Sequence, residues 1–249
     1  MIPMGSVAER HSAKDQEGYQ LLQEAYDQSP LNVFEKLEAF PRFASKRSMV
    51  RFLCKQALFQ KILGINGVII ECGVFNGAGL FSWAQFTNIY EPTNYNRKIV
   101  GFDTFEGFPS VAAKDANKVL QAAVGDLRGE SKANLEQSVR KYNAERHLAH
   151  IPNVALVAGD FSVTGPAYLE ANQHLIVSLL YLDFDLYEPT KKALELFLPR
   201  MGKGAIVCFD ELNCANFPGE TLAMLEHFDI RQTRIERFPI DPWISYVVL

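Results

Sequence analysis

Short apolar runs that close on an acid or a glycine turn, most followed by a stretch with helical spacing, recur along this chain and restrict its architecture more than any other feature. "NGVIIECGV" (66–74) reads as a buried strand and "GLFSWAQFTNIY" (79–90) as the helix that follows it. "KIVGFDTF" (98–105) and "NVALVAGD" (153–160) are further short strands. "HLIVSLLYLD" (174–183) leads into the helical "EPTKKALELFLPRM" (188–201), and "GKGAIVCFD" (202–210) into "GETLAMLEHFD" (219–229). Strands alternating with helices predict an α/β domain with a mostly parallel sheet covered on both faces, because right-handed crossovers place the helices there. "IRQTRIERFPI" and "PWISYVVL" close the chain as an expected antiparallel pair.

In such sheets a ligand binds outside the carboxyl ends of the strands. Asp103, Asp160, Asp183, Asp185 and Asp210 all fall at that edge. Residues 1–62 and 109–152 stand outside the alternation. Both contain amphipathic helical stretches, and we read them as a helical cap and a helical insertion of a single domain, 1–249.

With 249 residues, 48% hydrophobic and 22% charged, the chain can bury a large core. A net charge of −4 without a basic run argues against a nucleic-acid partner. No apolar stretch approaches the ~20 residues of a membrane span. The beginning, "MIPMGSVAERHSAKDQEG", lacks a secretory pattern, and four cysteines without a Cys-x-x-Cys pair suit a reducing compartment, so the cytoplasm is expected.

"ECGVFNGAG" sets Glu71 at a strand end and Gly73, Gly77 and Gly79 across the turn into a helix. Glycines permit positive φ and close approach of a ligand. No Gly-Lys-Ser/Thr follows, which excludes a P-loop, and the spacing is not that of a dinucleotide fingerprint. Asp103 ends the next strand, about where an adenosine-binding fold keeps its ribose carboxylate. S-adenosylmethionine suits this turn, since no pyrophosphate need be held.

The stretch "LLYLDFDLYEPT" brings Asp183 and Asp185 to the lip of the core. As i and i+2 of a strand they would point to one side and repel, and a divalent cation is the simple remedy. "AIVCFDEL" adds Asp210 and Glu211 from the neighbouring strand. Oxygen-only donors favour Mg²⁺, with Mn²⁺ or Ca²⁺ as substitutes, over zinc. A cation on adjacent sugar hydroxyls, with a carboxylate to take the proton, is a workable route to O-methylation.

Together, "ECGVFNGAG", "GFDTFEGFP", "LLYLDFDLYEPT" and "GAIVCFDEL" resemble the successive motifs of the macrocin O-methyltransferase family, metal-dependent sugar O-methyltransferases of antibiotic biosynthesis. The resemblance covers roughly residues 66–110 and 153–249. It implies a Rossmann-like class I methyltransferase fold with a seven-stranded sheet, S-adenosylmethionine and Mg²⁺ as cofactors, and a deoxysugar or glycoside hydroxyl as acceptor. Carried over by position, it implies that Glu71, Gly73, Phe75, Asn76 and Gly77 line the methionine end, Asp103 and Thr104 hold the ribose, and Asp160 and Phe161 border the adenine. Asp185, Asp210 and Glu211 match the metal ligands and Asp183 the general base. Many relatives carry two aspartates where this chain has Asp210-Glu211. Helical N-termini of relatives often pack between subunits, so a homo-oligomer is expected. Two rival readings remain at this point: a glycosyltransferase that uses Asp-Phe-Asp with Mn²⁺ and a nucleotide sugar, and a cofactor-binding relative without turnover.

Overall fold

The computed structural model describes residues 13–116 and 122–249. The chain divides into two compact units, Met1–Leu53 and Cys54–Leu249. Among its described residues the first holds three helices, α1 (Ala13–Asp27), α2 (Val33–Glu38) and α3 (Phe40–Phe43), followed by the start of α4 (Lys46–Ile62). Asn32 begins α2 by accepting from the Phe34 and Glu35 N–H groups, while the Glu35 carboxylate accepts from Asn32 N at 2.8 Å. This reciprocal cap satisfies donors that a helix start leaves open. Tyr26 packs edge-on to Phe43 at 5.3 Å and accepts at its carbonyl from Lys36 Nζ. Neither α2 nor α3 buries a residue.

A seven-stranded sheet organises the second unit: β1 (Val68–Cys72), β2 (Ile99–Asp103), β3 (Val154–Ala158), β4 (Val177–Leu182), β5 (Met201–Phe209), β6 (Glu236–Arg237) and β7 (Ser245–Val248). Their order is β3-β2-β1-β4-β5-β7-β6, parallel throughout the first five. β7 lies antiparallel to both β5 and β6, as the closing segments predict. Strand order reverses between β1 and β4, and such a switch opens a crevice at the carboxyl edge.

Helices α5 (Ala78–Tyr90), α6 (Lys132–Glu145), α7 (Phe161–Ala171), α8 (Tyr187–Phe197) and α9 (Pro218–His227) complete the unit. On one face of the sheet Ile70, Cys72, Phe102, Leu180, Leu182 and Phe209 pack with Phe161 of α7, Leu194 and Phe197 of α8, and Met224 of α9. Against the other face lie Trp83 of α5, 5.6 Å from the Tyr181 ring, and Phe59 of α4, 5.7 Å from Phe86. Strands covered on both sides must be apolar along their whole length, which is why β1 and β4 read as unbroken buried runs.

The amino edge of the sheet is tied by Arg97, 2% exposed. Its guanidinium pairs with Glu91 at 2.8 Å and donates to the Ile62, Ile65 and Gly67 carbonyls and to Ser178 Oγ. One planar fork thereby joins the end of α4 to the starts of β1 and β4. Within the described part of 109–152 no strand occurs; a single 3₁₀ turn (Ala113–Asp115) and α6 stand there. Asp115 accepts from Tyr187 N at 2.7 Å and Ala112 N at 2.9 Å, capping α8 from outside its own segment. Farther on, Tyr142 of α6 donates to the Ala84 carbonyl of α5.

Candidate active site

Backbone ladders continue beyond the strand ends and set the site's level. Cys72, Leu182 and Phe209 lie in register, and on the next rung Gly73 N donates to Phe102 O, Asp183 N to Cys72 O and Asp210 N to Leu182 O. The glycine turn and the first two acids thus share one row at the carboxyl edge. β4 stops at Leu182, so Asp183 and Asp185 are not i and i+2 of a strand. They meet for another reason: Asp185 takes φ +63°, the left-handed region that non-glycine residues avoid. Strain of this kind collects at functional sites.

Asp183, Asp185 and Glu211 each bring a carboxylate oxygen within 4.8 Å of the others. Asp210 lies outside that group; it is 2% exposed and its Oδ1 accepts from the Tyr181 hydroxyl. A further acid joins from α9: Glu220, fully buried, accepts at Oε2 from Glu211 N at 3.1 Å. Buried Glu211 Oε2 and Glu220 Oε1 have no hydrogen-bond partner. Desolvation, followed by the charges of Asp185, Asp210 and Asp183, pushes the Glu211 carboxyl well above its ordinary range. Burial and Asp185 do the same to Glu220. Clustered oxygen donors with unpartnered buried atoms fit a hard divalent cation, which would replace this repulsion with attraction.

The glycine turn answers mainly to the protein's own backbone. A Cβ on Gly73, at φ +90°, would stand 1.9 Å from the Asp183 carbonyl, so this glycine lets β1 and β4 emerge side by side. Gly77, also at positive φ, sits at the N-cap of α5. Phe75 (φ +50°) and Asn76 are exposed at the tip. Asp103, partly exposed, accepts from Val74 N and Phe75 N through Oδ2 and from Phe105 N through Oδ1, at 2.7–2.9 Å. It locks the end of β2 to the turn. Thr104 Oγ1 donates to Gly107 O and shapes the loop after β2.

Glu71 is 2% exposed, beneath the turn rather than at its surface, and a Cβ on Gly79 would meet its carboxylate. Burial raises its pKa to about 8, against the pull of Lys55 and of the Trp83 and Leu80 N–H groups. Trp83 Nε1 and Glu71 Oε2 close no hydrogen bond. Asp160 is exposed and caps α7 by accepting from Ser162 N at 2.8 Å. Phe161 belongs to the core, its ring 5.1 Å from both Phe102 and Phe184.

Three participants escape the sequence reading: Glu220, Lys55 and Tyr181. Lys55 of α4 donates to the Tyr181 hydroxyl at 3.2 Å, and that hydroxyl donates to Asp210. Lone acids and lysines on amphipathic helices look like solvated faces; only the tyrosine in "LLYLDFD", next to two acids, offers a signal.

Residues 39–237 match the family described as Macrocin-O-methyltransferase (TylF). The chain is 34% identical to CalS11, a calicheamicin methyltransferase of known crystal structure, covering 96% of this chain and 94% of that one with a TM-score of 0.91. It is 32% identical to an apo structure of CalS11 described as a TDP-rhamnose 3'-O-methyltransferase, with 96% coverage of each chain and a TM-score of 0.82. A curated relative from Streptomyces olivaceus, 8-demethyl-8-(2,3-dimethoxy-alpha-L-rhamnosyl)-tetracenomycin-C 4'-O-methyltransferase, is 28% identical over 148 residues, 59% of this chain. The chain spans about half the length of that relative, 54%. With the β3-β2-β1-β4-β5-β7-β6 order, these likenesses establish the class I methyltransferase fold.

Proposed function

The chain belongs to the macrocin O-methyltransferase family, and on that premise we propose that it is an S-adenosylmethionine- and Mg²⁺-dependent O-methyltransferase acting on a sugar hydroxyl in natural-product glycoside biosynthesis. The observation that carries this reading is the convergence of Asp183, Asp185 and Glu211 beside the glycine turn at the switch point of the sheet. The rhamnose named in two relatives, once nucleotide-linked and once on an aglycone, supports a 6-deoxyhexose as acceptor.

When bound, S-adenosylmethionine supplies an electrophilic methyl group, and Mg²⁺ acidifies the hydroxyl that receives it. Asp185 and Glu211 would hold the cation, with Asp210, through the oxygen that the Tyr181 hydroxyl does not engage, as the third ligand. Asp183 takes the hydroxyl proton. Asp103 and Thr104 would hold the ribose and Asp160 would border the adenine, with Phe161 stiffening that end from within the core. The turn from Gly73 to Gly77 borders the methionine portion, with Glu71 supporting it from below. Fixing both substrates in line supplies much of the rate.

Asp183→Asn tests the base. Turnover with a 6-deoxyhexose acceptor falls by about 10²–10⁴-fold while S-adenosylhomocysteine affinity is kept. Unchanged turnover would remove Asp183 from the role.

We place the enzyme in the cytoplasm, because its four cysteines are buried in the fold and form no Cys-x-x-Cys pair, which suits a reducing compartment. Among the described residues no helix is long and apolar enough to cross a membrane. We also propose a homo-oligomer, supported by the exposed apolar side chains of α2 and α3.

A further inference from the structure

The acid cluster has a polar support on the face of β4 that meets α4 and α5. Lys55 is only 6% exposed, and its Nζ lies 3.2 Å from the Tyr181 hydroxyl and 4.6 Å from the centre of the Tyr181 ring. A lysine ammonium can only donate, so the hydroxyl oxygen accepts from Lys55 and its single proton is directed to Asp210 Oδ1. The Tyr181 ring is fixed in turn by Trp83 at 5.6 Å. Each member is buried, and the hydrogen-bond polarity runs one way, from cation to carboxylate. Asp210 therefore has one oxygen committed and its plane set before any ligand arrives.

We infer that Lys55 and Tyr181 are positioning residues for the cation: by fixing the Asp210 carboxylate they set how tightly the site binds a divalent metal. The inference rests on the cation-dependent reading above. Partners of this kind, one bond removed from a metal ligand, typically change metal affinity 10–100-fold when removed. If Lys55 served only to compensate buried Glu71, its loss would lower stability and leave metal affinity where it was.

Mn²⁺ titration followed by electron paramagnetic resonance, on full-length wild type, Tyr181→Phe and Lys55→Met, separates these cases. S-adenosylhomocysteine affinity is measured on the same samples. Phenylalanine keeps the ring against Trp83, and methionine keeps most of the lysine stem. The expected result is one Mn²⁺ site in wild type, weakened roughly tenfold or more in each variant, with S-adenosylhomocysteine affinity unchanged. Wild-type Mn²⁺ affinity in the variants overturns the inference and leaves the proposed cation site intact. Absence of Mn²⁺ binding by the wild type removes the cation reading and the inference with it. Should Tyr181→Phe fail to fold, Lys55→Met decides alone.

Discussion

A carboxyl buried at the end of β1 must coexist with the acids of the neighbouring strand ends, and Glu71 does so by resisting ionisation. Its folded-state pKa is about 8 against an ordinary 4.5, chiefly through burial. Between those values the unfolded chain releases a proton that the folded chain keeps. The stability linked to this group is therefore complete below pH 4.5 and is lost as pH rises through 8, on the order of a few kcal/mol. Glu71→Gln cannot ionise, so its stability relative to wild type, followed by urea denaturation, should improve steadily from pH 5 to pH 8. Parallel pH profiles for the two proteins would contradict this. Residue by residue, the acids at strand ends were legible because an apolar run that stops at a carboxylate is conspicuous. Glu220 was not: an acid in the first turn of a helix has an ordinary explanation in the helix dipole. The grouping within the cluster was also hidden, since nothing in "LLYLDFD" reveals that the Tyr181 hydroxyl claims Asp210.

Elements inherit their limits from such contacts. Gly73 and Gly125 both have positive φ, yet only Gly73 is pressed against backbone; a Cβ on Gly125 would meet nothing within 4 Å. Gly125→Ala should cost about 1–2 kcal/mol, the strain of a left-handed residue alone. Gly73→Ala carries that strain and also forces β1 and β4 apart at the acid row, so its thermal unfolding should show a clearly larger loss. Equal losses would mean that the Gly73 contact relaxes freely. The strands were predicted within a few residues, because β-type burial on both faces leaves an apolar run with little alternative. α7 was missed between β3 and β4. Gly165 and Pro166 stand inside it and read as a break, yet the helix runs on through Pro166 at its midpoint, with its first turn capped by Asp160. Tertiary packing of Phe161 and Tyr168 on Phe102 outweighs the local signal.

For the whole molecule, the first unit stands out by what it leaves exposed: Val33, Phe34, Leu37 and Phe40, with Phe34 at 74% and Leu37 at 65%. The proposed homo-oligomer would bury these apolar side chains. Light scattering should report a multiple of the 28.0 kDa chain mass, and Phe34→Asp combined with Leu37→Asp should return it to a single chain. A wild-type mass of one chain would refute the homo-oligomer. Acceptor choice was the least legible property, because the residues outside the recurrent strand–helix pattern carry no motif of their own. Calorimetric titration of S-adenosylhomocysteine into metal-free protein, followed by Mg²⁺ into the complex, tests the cofactor and the cation together. The expected result is cofactor binding in the micromolar range and a separate Mg²⁺ site that disappears in Asp185→Ala while cofactor binding persists. No heat from S-adenosylhomocysteine would contradict it and make nucleotide sugars with Mn²⁺ the next ligands to try.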